Sequence, residues 1–415
     1  MRIDVYFDAF PHPAKPNMEA QLVEWQRQGQ RLRIFSLGRI GSATSTFPVT
    51  FLDSIRAHPV RIIWKMLSRA LHQPSRTWRI IRTAPGVRTA LQRLARDAQL
   101  PVDPPDAHYI HNLAAALPFS YLKAAAPNTT HAIYYHGGEL PGVPQISARQ
   151  AATALGCADI VFSNTRASID EVVSRGAPPE RTACVPTAIC IDRFRLPTDR
   201  RYLPEGQWRF VCIGRMSPEK GFESALQAFA ELHRRNVSFE LTLIGDGPMR
   251  PLLEALAARL QLGDSVQFLR HLDFAALIPR LAEFDALVLS SVPVAGSNWR
   301  ETQGTVMQEA MLMGAVVVAS DLGGVRESVP ADLHAYLYPP GSVDDLVDRL
   351  KALMHLDEAA LRALSNTARQ FVVENYDIRT VNQRLLDRLA ACRGIDPTTA
   401  STDDPSPTAN AVSPG

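Results

Sequence analysis

Short aliphatic and β-branched runs alternate with longer stretches in which apolar positions recur every three to four residues, almost throughout the chain. Runs of four to six apolar residues suit parallel strands buried on both faces, and the 3.6-residue period between them suits helices laid on a sheet. The second half shows the pattern most cleanly. There the spacing predicts strands over 210–213, 239–244, 266–269, 286–289 and 315–319, with amphipathic helices over 219–235 and 249–260. The first half repeats the style, with strands predicted over 3–6, 32–35, 108–110, 132–135 and 160–162. Between them, 191–207 is polar, holds two prolines and has no hydrophobic period, which marks a linker.

The expected fold class is therefore α/β, with two Rossmann-like domains facing across a cleft. The expected division is a first domain over 1–190, a linker over 191–207 and a second domain over 208–375. A helix over 376–393 packs back on the first domain, and 394–415 is a tail with too little apolar surface to offset the entropy of ordering. Ligands of such folds bind at the carboxyl ends of the strands, so chemistry is sought in the loops on that edge.

Composition narrows the setting. The chain has 415 residues, 46% of them hydrophobic, enough for a substantial core in each domain. With 44 Lys+Arg against 42 Asp+Glu, the net charge of +2 gives no global reason to expect a nucleic acid. The five cysteines (Cys157, Cys184, Cys190, Cys212, Cys392) show no C-x-x-C spacing, which argues against a disulfide framework or structural zinc and for a reducing cytoplasm. No secretory leader is read at the start, and the longest apolar run, 310–319, is about half of what a membrane-spanning helix needs.

Gly214-Arg215-Met216-Ser217-Pro218-Glu219-Lys220-Gly221 follows a strand and opens a helix. Glycine permits the tight turn, and Arg215 and Lys220 set two cations beside the positive end of a helix dipole, an arrangement that can hold a diphosphate. An ordinary strand-to-helix turn with two solvated cations fits that spacing equally well. Gly245-Asp246-Gly247-Pro248 ends the next strand on the same edge. Glu301 and Glu309 are eight residues apart, about 12 Å on one continuous helix, too far for a glycosidase pair. With Glu301 in a loop and Glu309 one turn into a helix, they can instead touch opposite ends of one extended ligand.

The Glu-x7-Glu pair, the Gly-Arg-Met-Ser-Pro-Glu-Lys-Gly turn, Gly-Asp-Gly-Pro and the stretch Val316-Val317-Val318-Ala319-Ser320-Asp321-Leu322-Gly323-Gly324-Val325-Arg326-Glu327-Ser328-Val329 together resemble the retaining glycosyltransferases of family 4, of GT-B fold. The resemblance runs from Met1 to about Leu389 and is most specific over 211–329. It implies transfer of a hexose from a nucleotide diphosphate sugar, with retention, and with neither metal nor cofactor. It implies that Arg215 and Lys220 grip the diphosphate beside Gly214, Gly245 and Gly247. Glu309 would bind the ribose hydroxyls, Glu301 with the backbone of Gln303, Gly304 and Thr305 would hold the donor sugar, and Arg270 to Leu272 would lie against the base. His136, in Tyr135-His136-Gly137-Gly138-Glu139, matches the family's histidine near the transferred sugar. Phe10, Pro11 and His12 resemble the acceptor-side entry of exopolysaccharide transferases, without their usual Ser-Glu-Thr. An epimerase or phosphorylase on the same fold, or a non-catalytic sugar-nucleotide binder, are the competing readings.

One segment stands outside this pattern. Residues 54–96 hold ten cations (Arg56, Arg61, Lys65, Arg69, Arg76, Arg79, Arg82, Arg88, Arg93, Arg96) and no acid, interleaved with Ile62, Ile63, Trp64, Leu67, Leu71, Trp78, Ile80 and Ile81. Helices with one apolar and one cationic side suit an anionic membrane surface, and the segment is expected to bring the enzyme to a lipid-linked acceptor on the inner membrane face.

Overall fold

The computed structural model describes residues 1–11, 16–39, 44–137, 145–203 and 207–393. Seven strands form the first sheet: β1 (Arg2–Phe7), β2 (Arg31–Ser36), β3 (Val49–Phe51), β4 (Ala107–Ile110), β5 (Thr130–Tyr135), β6 (Ile160–Ser163) and β7 (Thr182–Cys184). Six form the second: β8 (Trp208–Ile213), β9 (Phe239–Ile244), β10 (Val266–Leu269), β11 (Ala286–Leu289), β12 (Val316–Ser320) and β13 (Leu337–Tyr338). The orders are β3-β2-β1-β4-β5-β6-β7 and β10-β9-β8-β11-β12-β13, and every pairing is parallel. Each expected strand is present. Hydrophobic runs missed only β3, β7 and β13, edge strands of two or three residues that are too short to generate a period.

The order reverses next to β1 and next to β8, so helices cover both faces and the carboxyl ends of both sheets open crevices. The second core centres on Phe210, Leu241, Val288 and Val317. The first domain has two cores, one per sheet face. One is completed by the helix Ile378–Ala391, whose Val381, Leu385 and Leu389 bury against Ile3, Val5 and Trp25. Trp25 Nε1 donates to Asn382 Oδ1 at 3.0 Å, fixing that helix in place. The chain thus crosses between domains twice, and the crossings are laced together: Ile189 N donates to the Tyr376 carbonyl and Ile378 N to the Ile189 carbonyl. Segment 191–203 lies on the second core through Phe194 and Tyr202.

The basic segment folds into three helices, Pro59–His72, Pro74–Arg82 and Val87–Asp97. Arg69 and Arg76, expected at a membrane surface, are buried instead. Arg76 grips the fully buried Asp97 through Nε and Nη2, the latter 2.7 Å from Oδ1, while Arg69 donates to the carbonyls of Asp97 and Leu100. Counter-charges sit just outside the acid-free window, where Asp53 also pairs with Arg61. Arg79 is half-buried on the Ala125 carbonyl, and Arg93 and Arg96 are half-buried as well, so Arg56, Arg61, Lys65, Arg82 and Arg88 are the expected cations that remain exposed. Beside them, Val60, Trp64, Leu67, Leu71, Trp78 and Val87 are more than half exposed.

Asp97 therefore locks the three helices to each other through one buried charge pair. Asp97→Ala leaves the Arg76 guanidinium buried without its partner and should lower stability by about 3–5 kcal/mol, read from urea midpoints. A loss below ~1 kcal/mol would mean that water reaches Arg76.

Candidate active site

The loops leaving β8, β9, β11 and β12 meet on one edge because glycines let their backbones touch. A Cβ on Gly245 would stand 1.9 Å from the Gly214 carbonyl oxygen, and one on Gly324 would stand 1.9 Å from that of Thr302. Met216 N donates to the Asp246 carbonyl, and Gly324 N to the Glu301 carbonyl, so neighbouring loops are stitched by backbone bonds.

On that edge Lys220 ends a short 3-10 turn, Pro218–Lys220, with its ammonium 2.6 Å from Glu301 Oε2. Ser291 Oγ donates to the same oxygen at 2.8 Å, and the Trp299 ring lies 5.1 Å from the ammonium. Arg215, about half exposed, pairs with buried Glu219. Burial pushes the Glu219 carboxyl up, but the hydrogen bonds from Ser217 and Arg215 outweigh it and hold the group below its ordinary range. Both cations are thus pinned by carboxylates while one face of Arg215 stays open to solvent.

Gly304, with φ at +65°, turns the chain into the helix Thr305–Leu312, whose first amides lie just after the Glu301 loop. Glu309 stands on this helix. Its carboxyl has no hydrogen bond or ion pair among the described residues, and burial alone pushes its pKa up to about 7. Arg215, Lys220, Glu301, Gly214, Gly245, Gly247, Gly304, Thr305 and Glu309 thus share one sheet edge. Arg270 is exposed near Asp246, at 3.7 Å, and Leu272 is half-buried against the second core.

The first domain faces this edge with His136, just past β5. Its Nε2 lies 3.0 Å from His111 Nδ1, the two rings stacked at 4.7 Å, and its carbonyl accepts from Thr302 Oγ1 at 3.4 Å. Asn164 Nδ2 donates to Thr302 Oγ1 at 3.0 Å. Gln303, expected at the donor sugar through its backbone, spends its side chain elsewhere: the amide pairs with the N–H and carbonyl of Thr187 at 2.7 and 2.9 Å, joining the domains. Glu327 accepts from the Arg166 and Ala167 amides at 2.6 and 2.9 Å, across the same boundary.

The acceptor-side expectation fares differently. Phe10 is buried, stacked 4.4 Å from Phe7, with its N–H on Ser36 Oγ, and Pro11 is buried beside it. Both pack at the carboxyl end of the first sheet, where Phe7 stacks in turn on His111. His12, Gly138 and Glu139 lie outside the described residues. Sequence reasoning missed Glu219, Ser291, Trp299, Thr302 and His111. Glu219 and Thr302 lay in recognised motifs; Ser291 and Trp299 sit in an irregular segment whose hydrophobic pattern signals nothing.

Residues 198–371 match the family model described as glycosyl transferases, group 1. That segment, which spans the whole second sheet, is similar to glycosyl transferase group 1 domains. Among relatives of such domains, WcaL of Escherichia coli, named for colanic acid biosynthesis, is 27% identical over 216 residues. The match covers 52% of each chain, so the protein spans about half the length of that relative. The GDP-mannose-dependent phosphatidylinositol monomannoside mannosyltransferase of Mycolicibacterium smegmatis is 26% identical over 62% of this chain and 69% of its own. Among solved structures, the Anabaena protein HepE in complex with UDP superposes with a TM-score of 0.68 at 18% identity, covering 94% of this chain and 99% of that one. The matched segment is thus one half of a two-domain GT-B fold.

The unpaired Glu309 carboxyl has a measurable consequence for stability. Between about pH 4.5 and 7 the folded chain keeps a proton that the unfolded chain has lost, so stability falls as pH rises through that window and stays reduced above it. Glu309→Gln should raise the urea midpoint at about pH 8 and leave it unchanged near pH 4. Equal effects at both values would mean that the carboxyl is solvated.

Proposed function

We propose that this protein is a retaining glycosyltransferase that moves a hexose from a nucleotide diphosphate sugar to a saccharide or lipid-linked saccharide acceptor, in the synthesis of a surface polysaccharide or glycoconjugate. The observation that carries it is the Lys220–Glu301 contact, 2.6 Å long, on the edge where a helix amino terminus, Arg215 and the unpaired Glu309 also stand. Lys220 and Arg215 meet the negative charge that develops on the leaving diphosphate, and Glu301 accepts a hydroxyl of the sugar. Glu309, one helix turn away from Gly304, takes the ribose diol. His136 stands at the sugar from the opposite domain.

In this reading the anomeric C–O bond to the diphosphate breaks while the acceptor oxygen bonds the same face, and the acceptor's proton passes to the departing phosphate oxygen. No residue of the edge needs to act as a covalent nucleophile. Arg215 and Lys220 supply the cationic charge that the diphosphate requires. HepE was crystallised with UDP and with UDP-glucose, which makes a uridine diphosphate hexose the first donor to try.

The lipid-linked form of the acceptor draws on the exposed face of Pro59–His72, Pro74–Arg82 and Val87–Asp97. Trp64 at 70% and Leu71 at 80% exposure sit among Arg56, Arg61, Lys65 and Arg82, the arrangement of an interfacial helix on anionic lipid. No helix among the described residues is long and apolar enough to cross a membrane. Because apolar insertion adds to charge attraction, salt should weaken binding without abolishing it.

Two measurements bear on this reading. Lys220→Ala should lower turnover of the donor roughly 100–1000-fold with the circular dichroism unchanged; a folded variant within a few fold of wild type refutes the assignment. Wild type should float with phosphatidylglycerol vesicles, and Trp64→Glu with Leu71→Glu should release it. Failure of wild type to float even at low salt would leave the face without a lipid partner.

A further inference from the structure

His111 stands just past β4 and His136 just past β5, neighbouring parallel strands, so both side chains leave the carboxyl edge of the first sheet together. His136 Nε2 lies 3.0 Å from His111 Nδ1, with the ring planes 17° apart. A hydrogen bond between two imidazoles holds one proton, which one ring gives and the other accepts, and two N–H groups cannot face each other at that distance. The tautomer of His136 is therefore tied to that of His111. With Nε2 donating, a neutral His136 presents an acceptor at Nδ1; with Nε2 accepting, it presents a donor there.

His111 is the fixed member of the pair. It is buried, whereas His136 is half-buried. Its ring stacks on Phe7 at 4.9 Å and meets the edge of Tyr109 at 6.0 Å, and its backbone N–H donates to the Tyr6 carbonyl at 3.0 Å. The next residue, Asn112, caps the helix Leu113–Phe119 by accepting from the Ala115 amide at 2.7 Å, and its Nδ2 donates to Asp8 at 2.8 Å. His136 is followed instead by Gly137, at φ +106°, which has no side chain to brace the ring. Orientation thus passes from the inner imidazole to the outer one.

We propose that His111 is a positioning residue for the transfer: it holds the His136 ring, and the proton between the two, in the one arrangement that meets the donor sugar. The proposal rests on the transferase reading, which sets His136 at that sugar. His111 acts through His136, as an outer partner that orients a reacting ring does, and such partners contribute roughly 10–100-fold to activity.

The test labels the histidine side chains isotopically and reads the His136 tautomer from long-range proton–nitrogen NMR spectra of the full chain with UDP bound, its resonances assigned with His136→Gln. Wild type should show one tautomer. His111→Phe keeps the aromatic packing and removes the partner nitrogen, so the His136 pattern should move toward the average of the two tautomers. Turnover of UDP-glucose by that variant should fall roughly 10–100-fold with the donor KM within about threefold of wild type. His111→Asn, whose amide stands near the place of Nδ1, should restore the wild-type pattern and recover most of the lost turnover. Calorimetric UDP affinity within about twofold of wild type in each variant shows that the protein is folded. A His136 pattern that is the same in wild type and His111→Phe overturns the proposal, and so does His111→Asn behaving no better than His111→Phe. If wild type consumes no nucleotide sugar, the transferase reading falls, and the spectra alone decide whether His111 orients His136.

Discussion

Glu301 is the point on which the rest of the cleft hangs. Its carboxylate ties the loop after β11 to Lys220 after β8, its carbonyl accepts from Gly324 after β12, and the next two residues, Thr302 and Gln303, bind the first domain. A buried carboxylate with a cation 2.6 Å away is stable only while both partners stay. A ligand that inserts a hydroxyl against Glu301 or an anion against Lys220 competes with their mutual contact. The pair therefore keeps two reactive groups oriented and partly neutralised until something with matching charge displaces each from the other.

The hydrophobic period made the two sheets legible, because parallel strands buried on both faces leave short apolar runs that alternate with helical stretches of 3.6-residue period. Motif spacing likewise exposed Arg215, Lys220, Glu301 and Glu309, which lie within short stretches of chain. What stayed hidden was set by register and tertiary approach. Arg33, Asp4, His108 and His131 read as scattered polar positions, yet strand pairing lines them up across β2, β1, β4 and β5 on one buried face. Arg33 there meets Asp4 at 2.6 Å, and burial drives His131 down to about 4. Gln303 could not be read as a strut because its partner, Thr187, is 116 residues away. Phe10 could not be read as core because a loop residue next to proline carries no period.

The basic segment shows why counting charge over a window misleads. Cations at 69 and 76 are part of the interior because Asp97, one residue beyond the acid-free stretch, neutralises them. The remaining exposed cations are fewer than the sequence suggests, while the exposed aliphatic and tryptophan surface is larger. The balance moves from an electrostatic patch to an amphipathic one. That distinction matters physically: charge contributes roughly 1 kcal/mol per basic residue and is screened by salt, whereas apolar area contributes regardless of ionic strength.

The hold between the domains is modest by comparison with either core. The contacts from Gln303, Thr302 and Glu327 are hydrogen bonds, each contributing about 0.5–1.5 kcal/mol net, or somewhat more for a carboxylate. Together they amount to a few kcal/mol, within the range that one bound ligand can supply or remove. The two chain crossings run side by side, bonded to each other at Ile189 and Asp377. Because Gln303 sits two residues from Glu301, separating Thr187 from Gln303 pulls directly on the loop that carries the Glu301 carboxylate. Docking of the domains and preorganisation of Glu301 are consequently one event, and a ligand that bridges the cleft stabilises both at once.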